Sequence, residues 1–276
     1  MSAIITLTTD FGTRDPYVAE MKGVILDLAR SVQLVDVSHE IEPQQIAEAA
    51  LTLEGLAAAF PPGTIHLAVV DPGVGTDRRG LVIDTGSQRF VGPDNGLFTA
   101  VLARPGWQAF ELAAPQLRRA TVSRTFHGRD IFAPAAAHLA LGVPPERFGV
   151  PVSDPVRLPW PEARPVAGGM AGAVIHVDRF GNLVTSIDAP RVRAIVGAAG
   201  RGTVRIAGRA VPVVGTYAEL PPRGAGALVG SRDRLEVVVR DGSAAVTLRA
   251  RRGTPVLLSR TTPLPGRTGR SRRSSQ

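Results

Sequence analysis

Apolar and polar positions follow two regimes along the chain. Up to about residue 150, short β-rich runs are interleaved with longer stretches at helical spacing. Ala3–Thr9, Val32–Ser38, Thr64–Val70, Leu81–Asp84 and Phe90–Val91 read as strands, and Tyr17–Ala29, Gln44–Phe60, Leu97–Leu102 and Ile131–Leu141 as helices. Asp15-Pro16 supplies an N-cap followed by a proline in the first helical turn, and Pro61-Pro62-Gly63 stops the long Ala/Leu-rich helix. Strand and helix in alternation predict an α/β layered domain over residues 1–150 with a buried, largely parallel sheet.

From Pro144 to Pro165 seven prolines interrupt both periods, and residues 151–168 read as a linker. Beyond it come short β-rich runs broken by Gly and Pro: Ala173–Val177, Leu183–Ile187, Thr203–Ile206, Arg209–Val214, Ala227–Val229, Leu235–Val239, Ala245–Arg249 and Pro255–Leu258. That spacing predicts a smaller C-terminal domain over residues 169–258, an antiparallel barrel-like or sandwich structure. Residues 259–276 are rich in Arg, Pro, Gly and Ser and read as a disordered tail.

Composition narrows the function. The 276 residues hold no cysteine, which excludes disulfides, thiolate metal sites and a cysteine nucleophile. No apolar run approaches a membrane span and the N-terminus lacks signal-peptide features, so a cytoplasmic protein is expected. The net charge of +8 invites a nucleic-acid partner, but Arg260, Arg267, Arg270, Arg272 and Arg273 in the tail account for five of those charges. A surface with interleaved basic and aromatic residues is absent, and no specific nucleic-acid partner is expected.

The chemistry concentrates in two phrases. In residues 66–79 an apolar strand delivers Asp71 into a Pro-Gly-x-Gly turn, with Arg78 and Arg79 just beyond. Asp71 as a turn cap beside two solvated arginines is the competing reading. Thr125-Phe126-His127-Gly128-Arg129-Asp130 then packs an imidazole, a guanidinium and a carboxylate beside a glycine. Asp10-Phe11-Gly12 imitates a kinase magnesium motif and Gly73-Val74-Gly75 a nucleotide loop, but the companion motifs each would need are missing. His39, His66, His138 and His176 sit singly and read as packing or surface residues, and no metal site is expected.

In order along the chain stand Thr8-Thr9-Asp10-Phe11-Gly12, Val35-Asp36-Val37-Ser38-His39, Val70-Asp71-Pro72-Gly73-Val74-Gly75-Thr76 with Arg78, and Gly92-Pro93-Asp94-Asn95-Gly96, followed by the phrase around His127 and Asp178-Arg179-Phe180-Gly181-Asn182. This ensemble resembles the S-adenosyl-L-methionine (SAM) hydrolases, or SAM hydroxide adenosyltransferases, of the superfamily that includes the SAM-dependent fluorinase and chlorinase. The resemblance runs from about residue 4 to residue 258. It implies hydrolysis of SAM to adenosine and L-methionine without a cofactor, by a homotrimer whose sites lie at subunit interfaces. It also implies a catalytic set of Asp71, Arg78 and His127, with Asp10 on the ribose hydroxyls and Phe126 and Gly128 at the pocket wall. Asp178, Phe180 and Asn182 would then lie near the adenine and methionine ends, together with Tyr217, Ser231, Arg232, Glu236 and Val239.

Two alternatives carry different expectations. A halogenase would place a halide beside the reacting carbon, and a carboxylate about 4 Å from it would cost roughly 4 kcal/mol at an effective dielectric near 20. The halogenating relatives have tyrosine in place of Asp71, and fluorinase has serine in place of Gly128 and a long insertion where only Asp84–Phe90 stands here. A SAM or adenosine sensor would bind without turnover, and would not need Asp71, Arg78 and His127 together.

Overall fold

The computed structural model describes residues 2–160, 162–197 and 201–261. The chain divides into two compact units, residues 1–160 and 161–276.

The first unit is built on a six-stranded sheet of β1 (Ile4–Thr9), β2 (Gln33–Ser38), β3 (Ile65–Val69), β4 (Gly80–Asp84), β5 (Arg89–Pro93) and β6 (Gln108–Glu111), in the order β2-β1-β3-β5-β4-β6. The pairings β2/β1, β1/β3 and β3/β5 are parallel, and β4 runs antiparallel to both β5 and β6. Helices α1 (Tyr17–Leu28), α2 (Ile46–Ala59), α3 (Thr99–Leu102) and α4 (Ala133–Ala140) complete it, α4 being led in by a π-helical turn over Gly128–Phe132. Alternation along β1 divides the core. Ile5 and Leu7 join Met21, Ile25 and Phe132 beneath α1 and α4, whereas Ala68, Val70, Leu81 and Phe90 pack with Leu53 of α2 and Val101 of α3 on the other face. With both faces covered, β3 is buried along its whole length.

β6 was not among the expected strands; its Gln108-Ala-Phe-Glu sequence is too short and polar to stand out. The proline-rich stretch also differs from a free tether as far as residue 158. Val152 donates its N–H to Ala109 O, Val156 to Asp94 Oδ1 and Leu158 to Thr99 Oγ1, so this stretch is stitched onto the first unit.

The second unit contains β7 (Arg164–Val166), β8 (Gly169–Val177), β9 (Leu183–Asp188), β10 (Gly202–Ile206), β11 (Arg209–Pro212), β12 (Ala225–Val229), β13 (Arg234–Val239) and β14 (Pro255–Arg260), with α5 (Ala189–Val196) and α6 (Ala244–Leu248). The order is β11-β10-β14-β8-β9-β13-β12, with β7 on β8, and every ladder is antiparallel. A bridge between Val213 and Ala227 brings the two ends together into a nearly closed barrel.

Ala245–Arg249, expected as a strand, is instead the helix α6. The Ser243 side chain caps it by accepting the Val246 N–H, and Arg249 ends it in the left-handed region at φ 52°. Helix α5 was likewise missed, although Asp188 caps it in the same way ahead of a proline. β14 runs two residues past the expected boundary, to Arg260. Most of the expected tail, residues 262–276, lies outside the described residues. Among the described residues no helix is long and apolar enough to cross a membrane.

Candidate active site

Parallel strands β1 and β3 are neighbours in register, Thr9 opposite Val69, so their C-terminal ends present Asp10 and Asp71 along the same sheet edge. After Val70, the turn that starts at Asp71 closes with Val74 N–H on Asp71 O and Thr76 N–H on Gly73 O. Gly75 is required here. It sits at φ +80°, and a Cβ would lie 2.5 Å from the Arg124 carbonyl oxygen. That close approach brings the Asp71 turn against the segment that carries Phe126 and His127.

Arg78 joins the two phrases. Its Nε donates to Asp71 Oδ1 and Oδ2 at 2.8 and 3.1 Å, its Nη2 also reaches Asp71 Oδ2, and the same Nη2 lies 2.7 Å from His127 Nδ1. The Asp71 and Arg78 side chains are only 5% and 11% exposed, and the guanidinium rests 5.2 Å from the centre of the Phe132 ring. The reading of Asp71 as a turn cap beside solvated arginines is thus overturned for Arg78. Because the guanidinium can only donate, Nδ1 accepts, and the imidazole is neutral with its proton on Nε2. Burial, reinforced by the charge of Arg78, lowers the His127 pKa below the ordinary imidazole value, against the opposing pull of Asp71.

Arg79 serves the fold instead. It pairs with Asp94, whose side chain is 2% exposed, and with Asp154. Asn95 donates to Val70 O at 2.9 Å and so steadies the strand end beside Asp71. Arg129 and Asp130 are also turned to structure. Fully buried Asp130 accepts from Arg129, Arg119 and Ser123 N–H, which outweigh burial and hold its pKa low, and Arg129 also pairs with Glu20 of α1. Of the titratable groups in that phrase, His127 is the one hydrogen-bonded to Arg78 and through it linked to Asp71.

Phe126 belongs to an edge-on aromatic trio with Phe11 and Tyr17, the ring centres lying 5.3–5.9 Å apart. Gly128 permits this closeness, since a Cβ there would meet Phe126 and Met21 at 3.3 Å and Phe11 at 3.5 Å. Asp10 Oδ2 accepts the Gln44 N–H at 2.8 Å. Sequence reasoning missed Phe11 and Tyr17 as ring partners of Phe126, and it read His39 as a packing or surface residue. His39 is a hydrogen-bond hub whose ring nitrogens meet Thr9 Oγ1 and Asp36 Oδ1.

The expected residues of the second unit form a cluster of their own. Asp178 accepts from Phe180 N–H, Asn182 N–H and the Asn182 amide, and the same amide lies 3.3 Å from the Tyr217 hydroxyl. Glu236 is 8% exposed; burial and the neighbouring charge of Asp178 raise its pKa, while Arg232 opposes. Burial also raises the Tyr217 pKa, with Glu236 and Asp178 adding to it. Ser231 and Arg232 are exposed, and Phe180 is 77% exposed. The Val239 side chain belongs to the barrel core, so it has only backbone to offer a ligand. Among the described residues no group of three or more His, Asp or Glu side chains is arranged to hold a metal ion.

Comparison with known proteins places the chain in a family. The chain is 45% identical over 260 residues to the (R)-S-adenosyl-L-methionine hydrolase of Thermus thermophilus, covering 91% of this chain and 97% of that protein. A fluorinase from Actinopolyspora mzabensis is more distant, at 32% identity over 67% of this chain and 71% of its own length. A crystal structure of an uncharacterized conserved protein from Thermotoga maritima superposes with a TM-score of 0.87 at 32% identity, covering 93% of this chain and all of that one. Residues 5–149 match the SAM hydroxide adenosyltransferase N-terminal domain and residues 172–257 the corresponding C-terminal domain, and the chain belongs to the SAM hydroxide adenosyltransferase family.

Proposed function

We propose that the protein hydrolyses S-adenosyl-L-methionine to adenosine and L-methionine, with water attacking the ribose 5′ carbon. The observation that carries this reading is the hydrogen-bonded Asp71–Arg78–His127 array, in a chain 45% identical to a named SAM hydrolase. The sulfonium already makes methionine a neutral leaving group, so the protein has to supply an aligned, activated nucleophile. The water oxygen bonds to C5′, the C5′–S bond breaks with its electron pair on sulfur, and the water proton passes to Asp71. Arg78 stabilises negative charge developing on the attacking oxygen. With Nδ1 occupied by Arg78, His127 presents Nε2–H and orients the water.

Charge repulsion of a halide is weaker support than an isolated carboxylate would suggest, because Arg78 cancels much of the charge of Asp71. The hydrolytic reading therefore rests on Asp71 as proton acceptor and on the greater identity to the hydrolase than to the fluorinase.

Asp10 is proposed to hold the ribose hydroxyls, with Phe126 and Gly128 at the pocket wall. Asp178, Phe180, Asn182, Tyr217, Ser231, Arg232 and Glu236 would serve the adenine and methionine ends. We further propose a homotrimer with its sites at subunit interfaces. Supporting this is the exposure of Phe180 and Tyr217, aromatic side chains beside Asp178 and Asn182 that a monomer leaves in water. A cytoplasmic compartment is proposed from the cysteine-free sequence.

The test is product analysis after incubation with both sulfur epimers of SAM in oxygen-18 water. The expected result is labelled adenosine formed from the (R) form that names the relatives. A 5′-chloro nucleoside as the main product in chloride buffer would support the halogenase instead, and retention of intact SAM would support the sensor.

A further inference from the structure

We propose that His39 is a positioning residue for the nucleoside subsite, bracing the Asp10 turn from both sides so that its carboxylate meets the ribose hydroxyls. The inference rests on the reading of Asp10 as the ribose ligand and adds the residues that hold it in place.

His39 follows β2 and is 6% exposed, and it bonds both neighbours of Asp10's turn. Its carbonyl oxygen accepts the Gly12 N–H at 2.7 Å. Its Nε2 lies 3.0 Å from Asp36 Oδ1 and its Nδ1 lies 2.8 Å from Thr9 Oγ1. The protons can be assigned for the neutral ring. The Asp36 carboxylate can only accept, so Nε2 carries the proton and Nδ1 offers its lone pair. Thr9 must then donate to Nδ1, which leaves its oxygen free to accept the Phe11 N–H at 3.3 Å. Hydrogen bonds thus run from Phe11 through Thr9 and His39 to Asp36, and Lys22 of α1 anchors the far end at 2.5 Å from Asp36 Oδ2. Burial alone would raise the Asp36 pKa, but the bonds from Lys22 and His39 outweigh it and keep the acceptor ionised.

Asp10 lies between Thr9 and Phe11, so its backbone is tied through Thr9 and through Gly12 to one side chain and one carbonyl of the same residue. The Gln44 N–H on Oδ2 then sets the carboxylate itself. A diol ligand needs that precision, because a pair of hydroxyls on one carboxylate is a bidentate contact that weakens steeply with misalignment.

The experiment is calorimetric binding of adenosine and of 2′,3′-dideoxyadenosine, which lacks the diol. Their affinity ratio isolates the Asp10 contact from general loosening of the pocket. His39→Leu and the isosteric Thr9→Val are expected to reduce the preference for adenosine about tenfold, the scale of one lost charge-assisted hydrogen bond. His39→Asn is expected to recover most of it, because the Asn side-chain oxygen falls where Nδ1 accepts from Thr9. Equal losses for both nucleosides, or an unchanged ratio in variants that melt like the parent, would overturn the role of His39. If His39→Leu does not fold, Thr9→Val and His39→Asn decide the question by the same ratio. Asp10→Asn distinguishes the two layers. A ratio insensitive to Asp10 overturns the ribose reading and this inference together, whereas sensitivity to Asp10 without sensitivity to Thr9 or His39 overturns the inference alone.

Discussion

Arg78 Nη2 lies 2.7 Å from His127 Nδ1, which makes the imidazole an acceptor toward the guanidinium and leaves its only proton on Nε2. Protonating that ring would set a cation against a cation. The His127 pKa is accordingly lowered from 6.5, first by burial and then by Arg78. The acid limb of the kcat–pH profile is therefore expected below the ordinary imidazole value, with turnover constant above it as far as His127 is concerned. His127→Asn, which keeps an acceptor for Arg78, is expected to retain about tenfold more activity than His127→Ala. A fall in kcat as pH rises through the imidazole range would show instead that the ring works as a cation.

Asp71→Asn keeps the shape of the side chain and removes the negative charge. If Asp71 takes the proton from water, kcat should fall on the order of a hundredfold or more while calorimetric affinity for SAM survives. A variant with parental kcat would transfer the role of proton acceptor to another group.

The two adjacent arginines should separate cleanly on mutation. Arg79→Met leaves Asp94 nearly buried without its guanidinium partner, and the expected loss is about 3 kcal/mol of stability, read as a lower midpoint in urea unfolding. Arg78→Met should instead abolish turnover, with the larger effect on kcat. Equal effects of both substitutions on kcat would argue against the division of labour between them.

His66 gives the fold a pH dependence of its own. It is fully buried, bonded to Thr6 through Nδ1 at 2.9 Å and stacked on Phe90, and burial lowers its pKa to about 4 against an opposing contribution from Gln88. The folded state therefore binds this proton less readily than the unfolded state, in which the group titrates near 6.5. Stability from this residue is complete above about pH 6.5 and is lost as pH falls toward 4, reaching about 3 kcal/mol once both states are protonated. Urea midpoints measured between pH 7 and 4 should fall, and His66→Leu should flatten that slope. A slope unchanged by the substitution would assign the acid sensitivity elsewhere.

Much of the first unit was legible because local pattern and tertiary role agree there. β1 and β3 are β-rich runs of the right length for buried strands, β2 is a half-exposed edge strand of similar length, and α1 and α2 have helical periodicity with clear stops. Agreement failed where a short segment satisfies two periods. Ala244–Leu248 is apolar and β-branched in part, and a cap from Ser243, not its composition, made it a helix.

The sequence by itself determined most of the order of elements, the presence of two units and the residue types of the candidate site, since period, turn residues and phrase order are local properties. It also marked Asp71, Arg78 and His127 as candidates. Only the tertiary structure decided which arginine meets Asp71, that Asp130 is spent on Arg119, Arg129 and Ser123, and that His39 braces the Asp10 turn. Hydrogen bonds between groups 30 to 49 residues apart depend on strand register and on close backbone approaches such as Gly75 against Arg124. No pattern along the chain encodes those distances, because they exist only once the sheet has paired and its loops have packed.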